Sequence, residues 1–182
     1  MKKIAILSAG IMMLSACGSN PFLTEWPGED QFPPFDKIRL SDYVPAVKAG
    51  IEQQKAEVNA IVANTEAPTF ENTVAAYELS GKLLARTLGV LYNVSESDAT
   101  PAMQAVMDEV TPLVTTSSDE IFMNKALFDR VAAVFADSAS LDREQYMVTK
   151  KLYNAFIDNG VALGEAEQAR FKEISSELAT LT

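Results

Sequence analysis

The 182-residue chain contains no histidine. Imidazole is therefore excluded as acid, base, nucleophile partner or metal ligand. Cys17 is the single cysteine, so no intramolecular disulfide can form. Cationic side chains are scarce: 15 Lys and Arg stand against 25 Asp and Glu, for a formal charge of −10. Phosphate backbones are held by clustered Lys and Arg, which argues against nucleic acid as a partner. No segment alternates with period two through β-branched residues, so no sheet is expected. Neither a Gly-rich phosphate loop nor a Walker-type lysine motif is present. What is there is an ordinary globular mixture, 48% hydrophobic and 22% charged, long enough for one domain with a real core.

Carboxylates are the one plentiful reactive group. They pair in "GED" at 28–30, at Asp108-Glu109 and at Asp119-Glu120. Adjacent residues on a helix point in different directions, so these pairs read as solvated charge rather than as acid and base. Serines and threonines have no histidine to activate them. Aromatic and methionine positions fall on apolar faces and read as core. The residues alone give no catalytic and no metal-binding assignment.

The first residues have the build of a targeting signal: "MKK" is a positive start, "IAILSAGIMML" an apolar run, and "LSAC" a small-residue cleavage site. The run is shorter than the about 20 residues that span a membrane. Residues 1–16 are thus expected to be a signal peptide, and without Lys2 and Lys3 the charge becomes −12. "LSAC" is similar to the lipobox of bacterial lipoproteins, which makes Cys17 the lipid-attachment residue. A lipid on Cys17 would hold the protein to a membrane surface without spanning it. The expected location is exported, anchored to the cell envelope and facing the periplasm.

Residues 17–40 form a lead in which Pro21, Pro27, Pro33 and Pro34 prevent a continuous helix. Phe22, Trp26, Phe32 and Phe35 make it too apolar for a free linker, so part of it should lie against the body. From about residue 41 the period is helical. A first helix is expected over 42–63, with Val44, Val47, Ile51, Val58, Ile61 and Val62 on one face. A second is capped by Thr69 and carries Phe70, Val74, Tyr77, Leu84, Leu88 and Leu91 to near Asn93. Gly81 falls inside it, where glycine costs roughly 1 kcal/mol relative to alanine. We expect Gly81 to mark a helix crossing, its missing side chain admitting a neighbour. A third helix starts near Pro101 and is expected to kink or end at Pro112. A fourth spans 125–135. A fifth is capped by Ser140 and closed by Gly160 at C′. A sixth starts near Glu165 and reaches Thr182 with its apolar stripe still running, as though the domain were cut there. The class is all-α, an antiparallel bundle with short turns.

The phrases "NPFLTEW", "PPFDKI", "YVPAV", "APTFENT", "LSGKLL" and "LFDRV" occur in this order. Together they resemble the N-terminal region of the thimet-oligopeptidase family of zinc metallopeptidases, with the peptidyl-dipeptidase Dcp branch nearest. The resemblance covers nearly all of residues 20–182. It implies one lobe of a larger, mostly helical, bilobed enzyme with a channel between its lobes. It further implies zinc held by an HExxH helix and a further glutamate, two histidines one turn apart gripping the metal while the glutamate activates its water. That motif is not in this sequence. Ser41-Asp42 stands where relatives commonly carry Glu-His. The reading implied is a channel-wall lobe, with a C-terminal catalytic lobe as its partner and short peptides as substrates, cleaved to release C-terminal dipeptides. The alternative is a non-enzymatic, lipid-anchored helical module that binds a peptide or protein partner.

Overall fold

A computed structural model describes residues 19–26 and 32–181. Cys17, the "GED" run and Thr182 lie outside the described residues. Those described are helical, with no strand among them.

Helix α1 spans Leu40–Ala63. Its start is fixed by Asp42, whose carboxylate accepts from the Arg39 backbone N–H at 2.8 Å. Its buried stripe of Tyr43, Ala46, Val47, Gly50, Ile51, Val58 and Ile61 runs the whole length. The stripe serves two cores. Its first half packs with Phe22 of a 3-10 turn (Pro21–Leu23), with Leu84, Val90 and Leu91 of α3 (Lys82–Ser97), and with Met103 and Val110 of α4 (Pro101–Phe122). Its second half packs with Leu127, Val131 and Val134 of α5 (Lys125–Ala136), and with Leu152 and Phe156 of α6 (Arg143–Asp158). Helix α7 (Glu165–Leu181) lies along α4.

The structure corrects the reading of residues 69–93. Thr69 caps as expected, its hydroxyl accepting from the Asn72 N–H at 3.2 Å. The chain then forms a π-helical turn, Phe70–Ala75, followed by the three-residue α2, Ala76–Glu78. The helix stops before Gly81, which has φ +66° and precedes the first residue of α3. Gly81 is therefore a left-handed joint between two helices, not a gap inside one. That conformation costs an L-residue about 1–2 kcal/mol and glycine almost nothing. Its N–H donates to Glu57 of α1 at 2.7 Å, which holds the joint in place. A Cβ there would also meet the Gln54 amide at 2.6 Å, but that side chain is flexible.

Gly81→Val is expected to lower the thermal midpoint, costing about 2 kcal/mol of backbone strain. Gly81→Asn should cost clearly less, because asparagine tolerates the left-handed region although it is as bulky. Equal losses for Asn and Val would show that crowding, not conformation, selects the glycine.

The backbone crossing lies instead at Gly50. A Cβ on Gly50 would stand 2.8 Å from both Cα and N of Leu84. Two further expectations shift. Helix α4 runs on through Pro112, because Val110, Ser117 and Ile121 bury a stripe on both sides of it and packing overrides the local break. Helix α6 is capped by Asp142 rather than Ser140: Asp142 accepts from the Gln145 N–H at 2.9 Å, and the Gln145 side chain accepts from the Asp142 N–H at 3.1 Å. Ser140 closes the preceding 3-10 turn, Ser138–Ser140. Gly160, at φ +85°, follows α6 as the C′ glycine.

Candidate functional site

The carboxylate pairs do not converge. On α4, Glu109 pairs with Lys48 at 3.0 Å and Glu120 with Lys55 at 2.7 Å, so both bridge to α1. Asp108 accepts from Gln104 at 3.0 Å on its own helix. Surface pairs of this kind contribute about 0–1 kcal/mol each. Asp119 lines a cleft of about 130 Å³ with Pro112, Thr116, Lys172 and Ser176. Burial raises its pKa, and the Lys172 ammonium on α7 opposes the rise. Among the described residues no three His, Cys, Asp or Glu side chains come together as a metal site. With no histidine in the sequence, the donor set does not fit the zinc centre that the resemblance implies.

Two arginines organise the extended segments, and no local sequence pattern marks either. Arg86 of α3 reaches back more than sixty residues to donate to the carbonyls of Phe22 and, at 3.1 Å, Thr24. Its guanidinium lies over the Trp26 ring, 5.1 Å from the centroid. Burial lowers the Arg86 pKa and the Glu25 carboxylate opposes this. Trp26 donates to the Pro21 carbonyl at 3.0 Å, and Asn20 to the Asp42 carbonyl of α1 at 2.7 Å. Phe22 is fully buried, 5.2 Å from the Tyr43 ring. The lead therefore lies against the body through Phe22 and Trp26, whereas Phe32 and Phe35 are exposed. Beside it opens a cleft of about 470 Å³ lined by Ser19, Trp26, Pro34, Lys37, Arg39 and Asp42. Arg130 of α5 does the same for the loop after α1, donating to Asn64 O at 2.7 Å and to the Asn72 side chain at 3.1 Å.

The helices thus form a packed scaffold, with clefts at its surface and no assembled catalytic group among the described residues. No protein-family model matches the chain. It is 33% identical over 165 residues to a dipeptidyl carboxypeptidase of Escherichia coli, a match covering 90% of this chain and 24% of that protein. The dipeptidyl carboxypeptidase of Salmonella typhimurium is 34% identical over the same shares. Oligopeptidase A of Salmonella typhimurium is 22% identical, again over 90% of this chain and 24% of its own length. The chain is a relative of the thimet-oligopeptidase family of peptidases. It spans about a quarter of the length of the curated relatives it matches.

Proposed function

We propose that these residues are the non-catalytic scaffold of an exported, lipid-anchored peptidase of the dipeptidyl-carboxypeptidase kind. The observation that carries this is 33% identity across 90% of the chain to a protein of which the match covers only 24%, combined with a sequence that holds no histidine. In this reading the zinc that the resemblance implies is bound by another part of such an enzyme. The helices described here wall a channel that admits short, extended peptides and excludes folded proteins. Dipeptides leave from the substrate's C-terminal end. Cys17, behind the lipobox-like "LSAC", carries the lipid, and the scaffold faces the periplasm.

A chimera tests the enzymatic part. Residues 20–182 are substituted for the matching segment of the Escherichia coli dipeptidyl carboxypeptidase, and dipeptide release from a short peptide is measured. Release is the expected result. A folded chimera that binds zinc yet releases nothing would favour a binding module, the alternative left open by the sequence.

A further inference from the structure

The lead places its exposed apolar side chains at one end of the molecule. Asn20 is bonded to Asp42 in the first turn of α1, and Arg86 clamps residues 22–24 onto α3. Across the adjoining cleft runs the turn of Pro34 and Lys37. Phe32 is 72% exposed, Phe35 59%, Leu23 43% and Leu40 38%, all close in sequence to that clamp. Held near the start of α1 by that clamp, these side chains are open to an apolar partner.

Chain length identifies the occupant. Three Cα–Cα steps separate Cys17 from Asn20, so the two Cα atoms are at most about 11 Å apart. A lipid on Cys17 would therefore enter the bilayer within one short reach of the start of α1. The opposite end of α1, a helix of 24 residues, lies about 36 Å away. Charge permits the approach: in a processed chain of −12, Lys37 and Arg39 nearly offset Glu25, Asp36 and Asp42 around the cleft. Aromatic and leucine side chains at such a position partition into the boundary between headgroups and acyl chains.

We infer that the N-terminal end of α1, with Phe32 and Phe35 foremost, is seated on the bilayer that holds the Cys17 lipid. The scaffold then stands in one orientation on the membrane instead of swinging on a leash. This rests on the acylation of Cys17 proposed above, and the two can fail separately.

Trp26, the single tryptophan, lines the cleft and reports on the seating. The full chain is expressed in a bacterium, and its intact mass reports the acyl group. An unmodified mass would refute the anchor itself. The acylated protein is then placed in phosphatidylethanolamine–phosphatidylglycerol vesicles that contain lipid brominated near the headgroup. Trp26 emission is expected to fall by roughly half, and Phe32→Ser/Phe35→Ser, still acylated and with an unchanged thermal midpoint, to lose most of that quenching. Trp26→Phe/Ser138→Trp moves the reporter to the turn after α5 and should show no quenching. An acylated protein whose Trp26 is unquenched, or quenched equally without the two phenylalanines, would overturn the inference. Equal quenching at position 138 would do so too. If the phenylalanines are covered by another part of a longer chain, the double substitution lowers the thermal midpoint and leaves quenching unchanged.

Discussion

Gly50→Val is expected to lower the thermal midpoint by roughly 6–12 °C, a loss of about 3 kcal/mol at 2–4 °C per kcal/mol for a chain of this size. The reason is the identity of the atoms a side chain would strike. Cα and N of Leu84 are backbone, 2.8 Å from the position of the new Cβ, and cannot rotate away. Relief requires moving α3 off α1, which opens the contacts of Leu84, Val47 and Ile51 together. Gly50→Ala should already show much of the effect, since the Cβ alone makes the clash. Helix propensity points the other way, favouring alanine by about 0.8–1 kcal/mol, so a stabilised alanine variant would show that the crossing yields. Thermal unfolding followed by circular dichroism decides it.

Phe156→Ala is expected to cost about 3–5 kcal/mol, the ordinary range for deleting a buried phenyl ring. Phe156 is fully buried on α6. Its ring stands 5.2 Å from Phe122 at 68° and 5.8 Å from Phe128, so one truncation removes an edge-on contact to α4 and a second to α5. Stabilities of whole domains are about 5–15 kcal/mol, so this variant should be largely unfolded at moderate urea. Phe156→Leu keeps most of the volume and should lose much less. If both variants unfold at the same urea concentration as the parent, the second core does not depend on that ring.

These two sites also show where the sequence was legible. The buried stripe of α1 could be read from period alone, because Val47, Ile51, Val58 and Ile61 recur at helical spacing and nothing competes with them. Gly50 lies on that stripe too, but its role depends on where Leu84 arrives, a fact of tertiary geometry. The "ELSGKLL" stretch misled for a physical reason. Its apolar residues keep helical spacing on both sides of Gly81, and periodicity cannot tell a glycine within a helix from one in a left-handed joint. Thr69 was legible as a cap since that chemistry is local, whereas the Asp142–Gln145 box was missed in favour of a nearby serine. The penalty of Pro112 is intrinsic and visible in the sequence, whereas the packing that offsets it is not written beside it. Arg86 and Arg130 act across roughly sixty residues, and no local pattern announces such reach.

The absence of histidine was legible at once, and it bore on the resemblance in a useful way. It separated the part of the family likeness that concerns shape from the part that concerns chemistry. Phrases at helix starts and within helices, such as "APTFENT" and "LFDRV", carry the first, and the second needs donors that this sequence does not contain.

Helix α1 is one continuous helix that contributes side chains to both interiors, Tyr43 to Ile51 in one and Val58 to Ile61 in the other. A loosened contact at either end must therefore be felt along a single rigid rod. The two halves are obliged to melt in concert, and a load applied where the rod begins is delivered to its far tip with little slack.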